Sequence, residues 1–297
     1  MQITLLDGSI GQELVHRHGA EPTPLWSTMV MLDRADLVRA LHEDYFAAGA
    51  TIASTNSYPV LPDRLAGTPL EPRLEELLMT AAACAEAARD MHGSGRIAGT
   101  LGPLGASYRT DFDHGRAEAL AGYAPLLETL GPHVDFFLAE TVSSLNQAAN
   151  MVMVLAQSGR PGWIAFSVDD TDGTRLRSGE PLTEAAALID HPHVEAVLVN
   201  CCRPEAVPAA LGVLSGFGKP FGAYANGFER ISEAFLQDKP TVAVLDARPD
   251  LSPAAYAEHA LAWVGQGATI VGGCCEIGPA HIAAIATALR DAGHEIV

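Results

Sequence analysis

Positive charge is what this chain most lacks. Eighteen Lys and Arg stand against 36 Asp and Glu in 297 residues, a formal net charge of −18. That balance excludes nucleic acid as the expected partner, because a phosphate backbone is gripped by basic patches. Long hydrophobic runs are missing too. No apolar stretch reaches the roughly 18 residues that a membrane-spanning helix requires. No charged and apolar leader opens the chain, and Ile3-Thr4-Leu5-Leu6 already reads as a strand. Cysteine is scarce, and five is an odd count, which does not suit a secreted disulfide framework. The expectation is a soluble, cytoplasmic protein with reduced thiols. Several catalytic signatures are also absent. There is no serine nucleophile motif, no phosphate loop and no lysine at a predicted strand end. His16, His18, His191, His193 and His281 show no metal-ligand spacing with a carboxylate.

What is present is core. The chain is 48% hydrophobic and 18% charged, enough to bury a large interior. Strands are expected at Ile3–Leu6, Thr51–Thr55, Arg96–Thr100, Val134–Ala139, Trp163–Val168, Val194–Val199, Pro220–Ala225 and Ala268–Val271. Helical spacing follows each, at Ala35–Ala48, Leu74–Met91, Ala117–Leu130, Leu145–Gln157, Leu182–Ile189, Pro204–Leu214, Ala254–Val264 and Pro279–Leu289. A helix after every strand demands parallel strands. Eight such units predict an α/β fold, a (β/α)8 TIM barrel with residues 1–297 as a single domain. The rival, an open doubly wound sheet, usually carries G-x-G-x-x-G after its first strand, where this chain has Asp7-Gly8-Ser9-Ile10-Gly11. The connections from Gly102 to His114 and from Asn226 to Ser252 are long and are expected to build the pocket or its lid. Thr241–Leu245 is a candidate extra strand within the second.

In a barrel the residues just past each strand share one mouth. Here they are Asp7, Asn56 with Tyr58, Gly102, Glu140, Ser167, Asn200 with Cys201, Asn226, and Cys274 with Cys275. Four of the five cysteines follow two strands, as Cys201-Cys202 and Cys274-Cys275. Packing gives no reason for that placement, whereas thiolates converging from two strands suit a soft metal such as zinc. Adjacent strand residues face opposite ways, so Cys201 and Cys202 are not expected to ligate together. Cys274 and Cys275 can, because the strand has ended and Gly272-Gly273 is expected to let the backbone bend. Three thiolates leave a fourth position open, the mark of a catalytic site. Such a site holds a substrate thiol as thiolate and favours alkyl transfer to sulfur over hydrolysis. Glu140 is a candidate for a substrate ammonium. Asp7-Gly8 offers a turn or a contact to a substrate's amino-acid end, and Trp26 and Tyr58 are candidates for a cationic donor.

Taken together, these stretches resemble the homocysteine S-methyltransferases, a zinc-dependent barrel family with S-methylmethionine- and betaine-dependent members. The resemblance runs nearly end to end. It is carried by Asp7-Gly8, Leu25-Trp26-Ser27, Thr55-Asn56-Ser57-Tyr58, Gly99 through Gly105, Ala139-Glu140-Thr141, Asn200-Cys201, Ala225-Asn226 and Gly272-Gly273-Cys274-Cys275. It implies Zn2+ on Cys201, Cys274 and Cys275. It also implies a homocysteine amino-acid end held by Glu140 with Asp7-Gly8, and a substrate-binding set that includes Trp26, Asn56, Tyr58 and Asn226. Leu25-Trp26-Ser27 and the Tyr58 region look closest to the S-methylmethionine branch, so the expected partners are homocysteine and a small free methyl donor. Two positions depart from the family pattern: Glu276 follows Gly-Gly-Cys-Cys, and Cys202 stands where cysteine is unusual.

Overall fold

The computed structural model describes residues 1–19, 23, 25–111, 114–229, 231, 233–236 and 245–297. The candidate strand at Thr241–Leu245 lies mostly outside the described residues. Eight parallel strands form the barrel wall: β1 (Gln2–Leu5), β2 (Ile52–Ser54), β3 (Arg96–Leu101), β4 (Phe136–Val142), β5 (Gly162–Phe166), β6 (Val194–Asn200), β7 (Phe221–Tyr224) and β8 (Ile270–Val271). The ladder runs from β2 through β8 to β1. The seam between β1 and β2 is closed by the Thr51 N–H, which donates to the Leu5 carbonyl at 2.8 Å. A short β9 (Glu295–Ile296) pairs with the lower end of β1, and the Thr51 hydroxyl donates to the Val297 carbonyl at 2.8 Å. The helices are α1 (Gly11–His18), α2 (Ser27–Asp33), α3 (Ala35–Ala48), α4 (Pro62–Leu65), α5 (Leu74–His92), α6 (Arg116–Leu130), α7 (Leu145–Gln157), α8 (Ala186–Ile189), α9 (Val207–Leu214), α10 (Pro253–Gly265) and α11 (Pro279–Asp291).

Side-chain alternation sorts the strands into two cores. Phe137, Ala139, Ile164, Phe166, Val197 and Val199 face outward and pack with the helices. Phe136 and Leu138, Trp163 and Ala165, and Ala196 and Leu198 face inward, where they meet Leu6, Ile52, Ala98, Tyr224 and Ile270. Burial on both faces is why these strands read as nearly continuous apolar runs. The floor is sealed by Arg96, whose guanidinium lies 4.7 Å from the Phe136 ring centre and 5.7 Å from that of Trp163. The inward series then changes chemistry: 52 leads to Ser54, 98 to Thr100, 138 to Glu140, 165 to Ser167 and 198 to Asn200.

The eight expected units are present, with local differences. Helices α1 and α2 precede the expected Ala35–Ala48 helix in the first connection, where no further helix is expected from the pattern. Helix α1 buries only Gln12, Leu14 and Val15, too few positions to set up a visible period. Leu182–Ile189 divides into a 3-10 turn over Leu182–Ala185 and the short α8. Strand β4 begins later than expected and runs on to Val142. Its pairing with β5 shifts between Ala139 and Val142, and Thr141 has φ 60°. That irregularity sits beside Glu140, and bulges of this kind re-aim side chains next to active sites.

Candidate active site

A cavity of about 700 Å3 opens at the C-terminal ends of the strands. Asp7, Gly8, Trp26, Asn56, Tyr58, Glu140, Cys201, Cys274 and Cys275 all line it. Both long connections contribute as expected, through Gly105 to Arg109 and through Phe228, Phe235 and Leu245. Asn226 does not line it. Its side-chain oxygen accepts from the Phe228 N–H at 3.2 Å, and its own N–H donates to the Cys202 carbonyl at 3.0 Å. Asn226 therefore shapes the turn after β7.

The sulfur atoms of Cys201, Cys274 and Cys275 lie within 4.8 Å of one another. Sulfurs sharing a tetrahedral zinc at ~2.3 Å would sit ~3.8 Å apart, a spacing that Cys201 and Cys274, joined as a disulfide, can reach only once that bond is reduced. Cys202 points the other way into the helix-facing core and is fully buried, as strand alternation requires. Cys84 is buried on α5, with its sulfur 3.4 Å from the Ala35 carbonyl. Cys84, Cys202 and Cys275 are free, and Cys201 and Cys274 are joined as a disulfide where reduced thiols were expected. The ends of β6 and β8 place their Cα atoms 5.9 Å apart, within the span a disulfide bridges. The two thiols must be reduced before all three can ligate. Burial pushes the Cys275 thiol up to about 12, with Glu276 and Glu140 adding to the rise and a hydrogen bond from Tyr108 opposing it. A thiolate there needs a cation beside it, so the donor chemistry fits a soft divalent metal.

Gly272 and Gly273 also serve the cluster by being small. Neither adopts a left-handed conformation. A Cβ on Gly272 would lie 2.5 Å from the Leu6 Cβ, and one on Gly273 would run into Ile277. They are small so that the end of β8 can press against β1, where the Gly273 N–H donates to the Asp7 carbonyl at 3.0 Å.

Two carboxylates face the same cavity. The Asp7 carboxylate accepts from the Ser54 N–H at 2.6 Å and from the Ser54 hydroxyl at 2.8 Å. Burial nevertheless raises its pKa to about 7. Glu140 accepts from the Tyr224 hydroxyl at 2.9 Å, and burial, with the nearby Asp7 charge, raises it to about 8. Neither has an ion-pair partner among the described residues. A substrate ammonium would supply the missing charge. Asn200 holds the irregular turn in place: its oxygen accepts from the Thr141 N–H at 3.0 Å, and its NH2 donates to the Thr141 hydroxyl at 3.2 Å. Asn56 is occupied with α2, accepting from the Ser27 hydroxyl at 2.7 Å and donating to the Ser27 carbonyl at 3.3 Å.

The aromatic wall is held from behind. Trp26 and Tyr58 meet edge to face at 6.3 Å. The Trp26 indole N–H donates to the Gln12 oxygen at 2.8 Å, and the Gln12 NH2 donates to Glu276 at 2.9 Å. The unusual Glu276 thus anchors the amide that holds Trp26. Two contributors escaped sequence reasoning. Tyr108 lines the cavity and is buried. Arg177 lies behind it, 5.0 Å from the ring centre, while donating to the Cys201 carbonyl at 3.0 Å and pairing with Asp170 at 3.0 Å. Both sit in aperiodic connections; loop length pointed to Tyr108, within Gly102–His114, and nothing pointed to Arg177. Five described non-glycine residues have positive φ: Trp26, Tyr108, Thr141, Cys201 and Glu276. Four line the cavity and the fifth follows Cys275.

A (β/α)8 barrel whose mouth gathers three sulfurs and two carboxylates, neither with an ion-pair partner among the described residues, has the form of an enzyme's active site. The family model described as homocysteine S-methyltransferase matches residues 4–289, and the chain belongs to that family. The chain is 30% identical to a homocysteine S-methyltransferase from Escherichia coli strain K12, over 95% of this chain and 94% of that protein. The crystal structure of the homocysteine methyltransferase MmuM from Escherichia coli in a metallated form superposes with a TM-score of 0.81 at 28% identity, covering 97% of this chain and 96% of the other. Its oxidized form gives 0.79 at 29% identity, covering 96% and 95%. Membership makes the chain an enzyme of the methyltransferase class. No helix among the described residues is long and apolar enough to cross a membrane.

Proposed function

We propose that this pocket transfers a methyl group from a small sulfonium donor, S-methylmethionine, to the thiol of homocysteine, giving methionine. Cys201, Cys274 and Cys275 would hold Zn2+. The reading is carried by one observation: three sulfurs and two carboxylates without counter-ions converge on a single cavity. Bound there, Zn2+ supplies the positive charge that keeps a thiol ionised near neutral pH.

Glu140 and Asp7 receive the homocysteine ammonium, and the Tyr224 hydroxyl fixes the Glu140 carboxylate for that contact. Trp26, Tyr58 and Tyr108 offer ring faces to the sulfonium. That choice suits a displacement in which the donor's positive charge disappears, since a strong anionic clamp would hold the ground state more than the transition state. Enclosing acceptor sulfur and donor methyl together supplies much of the rate. Methionine formation by the reduced, zinc-loaded protein, given homocysteine and S-methylmethionine, should exceed that of a zinc-stripped control by orders of magnitude. Equal rates with and without metal would overturn the zinc assignment. Turnover with betaine and none with S-methylmethionine would overturn the donor.

A further inference from the structure

We infer that Arg64 is the carboxylate clamp of the methyl-donor subsite, so that the enzyme selects sulfonium donors that carry a carboxylate. The inference deepens the proposed function and rests on it. Arg64 follows β2 on the short helix α4 and lines the cavity beside Tyr58. Its guanidinium carbon lies 5.2 Å from the Tyr58 ring centre. One Nη donates to the Pro103 carbonyl at 3.2 Å. Its Nε is buried without a hydrogen-bond partner.

No carboxylate among the described residues lies within ion-pair distance of Arg64. The adjacent Asp63 does not neutralise it, because the Asp63 carboxylate is taken up by the backbone N–H groups of Arg64 and Gly105. The other arginine on the cavity wall, Arg109, is paired with Asp111 at an exposed edge. Arg64 therefore brings a guanidinium without a counter-ion to the cavity wall, and a carboxylate is the group that such a cation binds most strongly. The cavity is then polarised. Glu140 and Asp7 call for a cation at one part of the wall, and Arg64 calls for an anion at another. Tyr58 belongs to both parts, meeting Trp26 edge to face and lying under the Arg64 guanidinium.

The test uses reduced, zinc-loaded full-length protein and compares S-methylmethionine with trimethylsulfonium, a methyl donor without a carboxylate. In Arg64→Gln the S-methylmethionine KM should rise roughly 10- to 100-fold, the loss expected for charge-assisted hydrogen bonds. Trimethylsulfonium turnover and the homocysteine KM should stay as in wild type, which also shows that the variant is folded. Arg64→Lys keeps the charge without the guanidinium and should fall between the two. Calorimetric affinity for S-methylmethionine should follow the same order. Equal losses with both donors, or an unchanged S-methylmethionine KM, would overturn the clamp. A rise confined to the homocysteine KM would overturn it in favour of an acceptor role. Wild-type protein that neither binds nor uses S-methylmethionine would instead overturn the donor assignment on which the inference rests.

Discussion

The lower and upper halves of the barrel interior are built from the same strands on the same face, yet they follow opposite rules. Below, Phe136, Leu138, Trp163, Ala165, Ala196 and Leu198 fill space and Arg96 closes the floor. Two residues further along each strand stand Glu140, Ser167 and Asn200. The lower layer gains free energy by burial, about 1.5–3 kcal/mol for each large apolar side chain. The upper layer spends some of that gain, since two carboxylates are kept where burial raises their pKa to about 7 and about 8. The barrel can carry a costly site because the floor that supports it asks nothing of function.

The sharpest way to test that division is to remove a sulfur from the upper layer. Cys275→Ser should lose metal and lower the rate of methionine formation by more than roughly 1,000-fold, while thermal unfolding changes little. Retained activity with bound metal would remove Cys275 from the ligand set. Glu140→Gln comes next. It should raise the homocysteine KM by roughly 30- to 100-fold, because an ammonium loses its buried counter-charge.

That variant also has a pH signature. With a folded pKa of about 8, Glu140 is protonated below that pH and cannot pair with an ammonium, so wild-type affinity for homocysteine should climb as pH rises from about 7 to about 8. The climb should flatten in Glu140→Gln. Stability runs the other way. The folded state keeps a proton on Glu140 that the unfolded state has released above its ordinary value of 4.5, so this group lowers stability as pH rises from there to about 8. Glu140→Gln should therefore melt higher than wild type at pH 8.5, and the gap should close toward pH 4.5. A gap of the same size at both ends would mean that Glu140 titrates normally.

The lower layer predicts the reverse pattern. Leu138→Ala should cost about 2–5 kcal/mol of stability, with both KM values unchanged at temperatures where the protein stays folded. The smallest effect is expected behind the aromatic wall. Gln12→Leu cuts the link between Glu276 and Trp26 and should raise the donor KM several-fold, with the homocysteine KM unchanged, since one hydrogen bond is worth about 1 kcal/mol.

Much of this was legible in the sequence. Eight apolar runs followed by helical spacing are a topological statement, and the cysteine pairs at two strand ends have no packing explanation. Cys201, Cys274 and Cys275 come together as the strand-end argument requires, and Cys202 turns away for the reason that argument gives. Other features were hidden because their cause is tertiary. Gly272 and Gly273 look like a bend in one dimension and in three are also a surface of close contact. Asn226 has a second task that the sequence hides, since its oxygen braces the turn after β7. Tyr108, Arg177 and Arg64 come from connections without periodicity, and only the folded chain shows what each one faces.

The five positive-φ residues carry a further consequence. A left-handed backbone costs an ordinary side chain on the order of 1–3 kcal/mol. A designer idealising this barrel would write glycine at 26, 108, 141, 201 and 276 and obtain a sturdier, smoother scaffold. That protein would lack an indole, a phenol, a hydroxyl, a thiol and a carboxylate, all at or beside the cavity. The backbone thus marks, without reference to any relative, where chemistry was preferred to comfort.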